Sequence, residues 1–245
     1  MKNPKPIPEL LVLAGGFGTR LQSAVSEVPK PLAPVAGRPY LDYLVDSWIG
    51  QGVERMTFLL YHKAELMQAF INAKQRQLLE GGRTCELRSL VEPSPLGTGG
   101  AVAHAVRSFR IEGSFLVANA DTWLGSGIRQ LSELGAPGIA VVEVENAARY
   151  GVVRMENAKI VAFEEKQAFS GTGWINAGLY NLSAELFKDC RECQPFSIET
   201  KIFPLLVSRH QLKATALATD FIDIGIPEDY FRFCRWIDAG KTGTL

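Results

Sequence analysis

The sequence predicts an α/β fold: a mixed, mainly parallel sheet flanked by helices, with a smaller antiparallel extension. Three observations carry that expectation. Through the first half of the chain, short apolar runs alternate with helix-like patterns, the arrangement that builds parallel strands with helices on both faces. The first apolar run, "ELLVLAGG" (9–16), stops on glycines, as a buried strand does where it feeds a loop. From about Gly138 onward, strand-like segments follow one another with few helices between them.

The elements follow in order. "RPYLDYLVDSWIGQG" (38–52) places Pro39 at a helix start, Leu41, Leu44, Val45 and Trp48 at helical spacing, and Gly52 as a stop. "RMTFLL" (55–60) is a second strand, and "KAELMQAFINAKQRQLLE" (63–80) a long helix ending at Gly81 and Gly82. "ELRSLVE" (86–92) is a third strand, "GGAVAHAVRSF" (99–109) a helix of small residues, and "SFLVANAD" (114–121) a fourth strand. Beyond Gly138 the strands are "GIAVVEVE", "GVVRME", "KIVAFEE" and "WINAGLYNL". "PFSIETKIFPLLVS" (195–208) has helical spacing, "LKATAL" and "DFIDIG" return to strand, and "PEDYFRFCRWIDAG" (227–240) closes as a helix. Without a repeat or linker-like stretch, residues 1–245 read as one continuous domain.

With 47% hydrophobic residues in 245, the chain can bury a sizeable core. Lys plus Arg equals Asp plus Glu, 26 against 26. A nucleic-acid binder usually carries a basic surplus, so a small-molecule partner is expected and nucleic acid is not. No apolar run reaches the roughly 20 residues of a membrane span. "MKNPKPIPEL" lacks the apolar stretch of a signal peptide, so the expectation is a cytoplasmic protein with reduced thiols. Cys85 and Cys234 read as core residues. Cys190 and Cys193 have C-x-x-C spacing, but no second pair of ligands stands nearby, so a helix surface with incidental cysteines is expected. His62, His104 and His210 are scattered and read as structural or surface residues.

The most informative stretch is "LAGGFGTRLQSAVSEVPKP" (13–31). In an open parallel sheet, ligands sit beyond the carboxyl ends of the strands, where this loop lies. Gly15, Gly16 and Gly18 let backbone N–H groups approach an anion and adopt positive φ. Arg20 adds a fork of donors suited to phosphate oxygens. Lys30 is held between Pro29 and Pro31, which bias the backbone toward an extended path. Together these describe a polyphosphate cradle; the glycines alone would equally suit a plain tight turn. A Walker loop needs Gly-Lys-Ser/Thr, and here Gly18 is followed by Thr19 and Arg20. A dinucleotide fold wants an acid ending the second strand, and here that strand runs into Tyr61, His62 and Lys63.

At these residues the chain resembles the sugar nucleotidyltransferases, the nucleotide-sugar pyrophosphorylases. Their loop appears as "GFGTRL" (16–21) and their Pro-Lys-Pro unit at 29–31. The resemblance continues in order through "PLGTGGA" (95–101), "NAD" (119–121), "YGVV" (150–153), "EEK" (164–166), "NAGLY" (176–180) and "DIGIPEDY" (223–230). Where many members continue Arg-Pro-Leu-Thr, this chain reads "QSAVSEV" (22–28), which resembles the D-glycero-D-manno-heptose 1-phosphate guanylyltransferase branch. The sequence shows no C-terminal β-helix of the kind many oligomeric relatives carry, so a monomer or homodimer is expected.

The resemblance implies a Rossmann-like fold whose residues 1–137 mainly bind nucleotide and whose residues 138–245 mainly bind sugar phosphate. The implied reaction is attack of a sugar 1-phosphate on the α-phosphate of GTP, giving pyrophosphate and a GDP-sugar, with a heptose for cell-envelope glycans as the leading acceptor. Uridylyl or other nucleotidyl transfer to a hexose or amino-sugar 1-phosphate is the alternative, and a non-catalytic relative the third. Ala14, Gly15, Gly16, Gly18, Thr19, Arg20, Lys30, Glu92, Gly97 and Thr98 would hold the nucleotide. Arg20, Lys30 and Asp121 would be catalytic. Asn119, Gly151, Glu165, Lys166, Asn176 and Gly178 would hold the sugar phosphate, with either Glu164 or Glu165 facing the sugar. Mg²⁺ would sit on Asp121 and Asp223, each at a strand end, though Asp121 could instead cap a following helix. Glu92 stands five residues before Gly97, where thymidylyl and uridylyl relatives commonly have Gln. A carboxylate only accepts hydrogen bonds, and guanine offers adjacent N1–H and 2-amino donors. The plain alternative is a strand-ending Glu92 in solvent.

Overall fold

The computed structural model describes residues 6–164 and 171–241. The chain opens with β1 (Leu10–Leu13), and two 3₁₀ turns, Thr19–Leu21 and Lys30–Leu32, shape the loop that follows. A small hairpin, β2 (Pro34–Val35) and β3 (Arg38–Pro39), leads into α1 (Tyr40–Gly50). Then come β4 (Arg55–Leu60), α2 (Ala64–Glu80), β5 (Glu86–Val91), α3 (Gly97–Ser108) and β6 (Ser114–Asn119). β7 (Thr122–Leu124), α4 (Ile128–Leu134) and β8 (Gly138–Val144) lead to the hairpin of β9 (Val152–Glu156) and β10 (Lys159–Glu164). β11 (Gly173–Ser183) is the longest strand. A π-turn, Ile198–Ile202, runs into α5 (Phe203–Ser208), followed by β12 (Lys213–Leu217), β13 (Phe221–Asp223) and α6 (Pro227–Asp238).

One nine-stranded sheet has the order β5-β4-β1-β6-β11-β8-β12-β10-β9. β5, β4, β1 and β6 are parallel; β11 runs antiparallel to both β6 and β8; β10 is antiparallel to β12 and β9. The mainly parallel first half and the antiparallel additions are therefore both present, merged in a single sheet. Side chains alternate across a strand, so β1 sends Leu10 and Val12 to one face and Leu11 to the other. The first face packs on Tyr40, Leu44 and Trp48 of α1, Met67 and Ile71 of α2, and Phe233 of α6. The second packs on Val102 and Ala105 of α3 and on Phe203 and Leu206 of α5. The result is three layers, helices–sheet–helices.

Three details differ from the sequence expectation. α4 was not anticipated, because its seven residues are too few to show helical periodicity. β13 does not join the main sheet but pairs antiparallel with β7. Cys190 lies in irregular loop and Cys193 in a turn rather than on a helix, with Cys193 at φ 50°.

Candidate active site

The loop after β1 lies at the carboxyl edge of the parallel strands. Positive φ was expected at all three of its early glycines, and only Gly18 has it, at 61°. Gly18 is needed twice: the left-handed conformation disfavours a side chain, and a Cβ there would fall 2.9 Å from that of Lys30. Gly15 supplies room instead, since its Cβ would stand 2.8 Å from Glu92 Oε1. A cavity of about 230 Å³ opens here, with Ala14, Gly16, Gly18 and Thr19 lining it from the loop. Arg20, Lys30 and Asp121 line its charged side. Arg20 is exposed and makes no ion pair with any described residue.

The extended path expected around Lys30 holds only for Pro29, at φ −58° and ψ 147°; Lys30 itself begins the 3₁₀ turn. That turn points the lysine inward. Its side chain is 9% exposed, with Nζ 2.7 Å from Asp121 Oδ2 and 3.6 Å from Asp223 Oδ1. Asp121 lies two residues beyond β6 and is followed by β7, so it caps no helix. Antiparallel pairing sets Asp223 opposite Thr122, and Ile224 N donates to Asp121 O at 2.9 Å. Two carboxylates remote in sequence thereby share one lysine. Burial, and then the charge of Asp121, push the Asp223 carboxyl above its ordinary value; Lys30, the Gly225 amide and Arg20 oppose the shift. Among the described residues no group of three or more His, Cys, Asp or Glu could hold a metal alone. A carboxylate pair beside a glycine loop and two cations fits a hard divalent cation that would complete its shell with phosphate oxygens and water.

A second cavity, about 340 Å³, adjoins the first and shares Leu13, Gly16 and Asp121 with it. Glu92 lines it just past β5 and is only 7% exposed, so it is not a strand-ending acid in solvent. Its Oε2 accepts from Leu96 N at 2.9 Å, and its Oε1 lies against Gly15. Burial pushes the Glu92 carboxyl up, partly offset by the Leu96 amide. Gly97, Thr98 and Asn119 line the same cavity, as do Phe17 and Tyr61. The Thr98 hydroxyl is committed within the protein: it donates to Glu199 Oε2 at 2.7 Å and accepts from Ile198 N at 2.9 Å.

The later residues are gathered only in part. Pairing of β11 with β8 slips between Asn176 and Tyr180, at Gly178, whose φ is 71°. A Cβ on Gly178 would stand 2.7 Å from Asn119 Nδ2, so this kink brings β11 against a residue that lines the second cavity. Asn176 lines neither cavity; its Oδ1 accepts from Gly178 N at 2.9 Å and its Nδ2 donates to Tyr180 Oη at 3.1 Å. Gly151, at φ 83°, precedes β9 and also lines neither. Glu164 ends β10 in an ion pair with Arg154. Glu165 and Lys166 lie outside the described residues.

Two residues that sequence reasoning missed tie these pieces together. Tyr180 Oη donates to Glu199 Oε1 at 3.3 Å, and Glu199 Oε2 accepts from Thr98 and from Ser197 Oγ at 2.6 Å. The chain of bonds runs from Thr98 at the start of α3 through the π-turn to the kink in β11. In the sequence Ser197 and Glu199 stand in a helix-like stretch and Tyr180 in a strand-like one, and nothing local joins them, because Glu199's partners come from α3 and β11.

Residues 9–240 match the Nucleotidyl transferase family, and the chain belongs to it. The D-glycero-alpha-D-manno-heptose 1-phosphate guanylyltransferase of Campylobacter jejuni is 31% identical, covering 92% of this chain and 98% of that one. Mannose-1-phosphate guanylyltransferase 1 of Arabidopsis thaliana is 33% identical over 92% of this chain, which spans 63% of the plant protein. The crystal structure of HddC from Yersinia pseudotuberculosis complexed with GMP-PN superposes with a TM-score of 0.77 at 30% identity, covering 94% of this chain and 99% of that one. The fold and the nucleotidyltransferase class are thus shared.

Proposed function

We propose that the protein transfers GMP from GTP to a sugar 1-phosphate, D-glycero-α-D-manno-heptose 1-phosphate, releasing pyrophosphate and GDP-heptose. The observation that carries this reading is the buried Glu92 carboxylate beside the phosphate loop, where guanine's N1–H and 2-amino donors would meet an acceptor-only group. The guanylyltransferase activity named for the Campylobacter relative, and the GMP-PN complex of HddC, support it.

In this reading the loop amides and Arg20 hold the triphosphate. A sugar-phosphate oxygen attacks the α-phosphorus in line, the bond to the bridging oxygen breaks, and pyrophosphate leaves with the electron pair. The barrier is repulsion between anions and charge on the leaving group, so positioning and positive charge are what the protein supplies. Arg20, exposed in the cavity, stabilises the departing pyrophosphate. Lys30 turns its ammonium from the two aspartates toward the reacting phosphates. Asp121 and Asp223 would hold Mg²⁺, which would neutralise phosphate charge. Asn119, with the kink at Gly178, borders the sugar, and Lys166 holds the sugar phosphate, as the family resemblance implies.

The test is pyrophosphate release from GTP, ATP, CTP and UTP, each against heptose, mannose and glucose 1-phosphates. GTP with the heptose should give the highest kcat/KM. A mannose optimum would move the acceptor toward the activity named for the plant relative. Equal use of GTP and UTP would remove the guanylyl assignment.

A further inference from the structure

Phe17 stands between Gly16 and Gly18 in the phosphate loop and is 50% exposed. An aromatic at the tip of an anion-binding loop does nothing for phosphate, and its exposed face costs hydration free energy. It is nonetheless held in place. Its ring centroid lies 5.9 Å from Tyr61, nearly edge-on, and 5.2 Å from His62. Gln22 Nε2 donates to its carbonyl at 3.4 Å, and His62 N donates to Gly15 O at 3.4 Å. The turn after β4 and the glycine loop are thus joined through an aromatic cluster. Phe17 and Tyr61 line the same cavity as Glu92.

That cavity combines one buried acceptor with apolar and aromatic walls. A planar heterocycle with donors on one edge and two broad faces has the matching chemistry. We propose that Phe17 is the stacking face for the nucleobase and sharpens selection for a purine. The purine preference rests on the guanylyl reading above; the stacking role does not. A purine has the larger face, so it gains more from an aromatic cover than a pyrimidine does. The same side chain sits on the phosphate loop, so base and phosphate binding meet at one residue.

The experiment measures dissociation constants of GDP, UDP and inorganic tripolyphosphate by titration calorimetry in Mg²⁺ buffer, for the unmodified protein and for Phe17→Ala, Phe17→Leu and Phe17→Tyr. Tripolyphosphate occupies the loop without a base and reports whether the loop itself is intact. Phe17→Ala should weaken GDP by about tenfold, the size of one lost base–aromatic stack. UDP should weaken less, and tripolyphosphate should bind as before. Phe17→Tyr should restore GDP, and Phe17→Leu, apolar but without a ring, should not. Equal weakening of GDP and tripolyphosphate would make Phe17 a loop-shaping residue and overturn the proposal, as would full rescue by Leu or no effect of Ala. Equal affinity of the unmodified protein for GDP and UDP would sink the guanylyl reading and the purine preference with it. The Phe17→Ala loss would still decide whether the ring stacks on a base.

Discussion

Glu92 is costly to bury and is buried anyway, which is the pattern of a residue kept for recognition rather than stability. Its charge state sets two opposite pH effects. Its folded-state carboxyl lies above the ordinary value of 4.5, so its contribution to stability is complete below that value and is lost as pH rises through the raised one. In the proposed function guanine binding needs the ionised form, so GTP affinity should fall as pH drops through the same raised value, above 4.5. In Glu92→Gln that acid limb of the GTP profile should vanish. GTP kcat/KM should fall by about a hundredfold or more while some UTP turnover appears, because an unpaired donor edge is strongly rejected. An unchanged acid limb in the variant would place the titration elsewhere. Asp121 and Asp223 make a second residue-scale case. Either Asn variant leaves Lys30 one carboxylate and removes half of the candidate cation site. The expected result is a kcat lower by about two orders of magnitude or more, a raised Mg²⁺ requirement and an unaltered circular dichroism spectrum. A near-normal Asp121→Asn enzyme would refute the assignment.

The elements matter through the connections between them. Thr98 stands at the start of α3, the kink is in β11, and the π-turn before α5 lies between them in the hydrogen-bond chain through Glu199. π-turns recur at functional sites because they re-aim side chains. Glu199→Gln keeps the shape and removes the charge that accepts from Thr98, Ser197 and Tyr180. Each lost charge-assisted bond weakens the link by about 1 kcal/mol or more. Steady-state kinetics should show KM rising for both substrates by several-fold, since the link spans both sides of the cleft. A rise for one substrate only would show that Glu199 serves that side alone. The same network marks how far the sequence could be read. Arg20 and Lys30 stood out by residue type in the glycine loop and Asp121 and Asp223 by their place at strand ends, while their pairing came from the family resemblance; the structure sets Lys30 beside both carboxylates. The parallel strands were legible because apolar runs show a local period. Glu199 and Tyr180 were not, since each is an ordinary polar residue until folding brings distant partners to it. The kink at Gly178 was hidden for the same reason: a glycine in a strand does not announce that Asn119 lies 2.7 Å from its missing Cβ.

Across the whole molecule, the strands before and after Gly138 are not separate bodies. β6 and β11 pair from Ser114 to Ala118 against Leu179 to Ser183, so the seam between the halves is an internal ladder of one sheet. Each apolar layer crosses that seam: Leu10 and Val12 share a cluster with Ala140 and Val142, and Leu11 and Phe115 share one with Ile139 and Phe203. No apolar boundary separates residues before and after Gly138, so partial unfolding of either half would expose core of the other. The molecule should therefore melt in one cooperative transition, with calorimetric and van't Hoff enthalpies equal. GTP with Mg²⁺ contacts mainly the first half in the proposed function, yet it should move the entire transition. At about 100 times its dissociation constant it adds about 2.7 kcal/mol, which for a chain of this size raises Tm by about 5–10 °C. Scanning calorimetry with and without nucleotide makes the comparison. Two resolved transitions, only the first of them shifting with GTP, would show that the halves are energetically separate despite their common sheet.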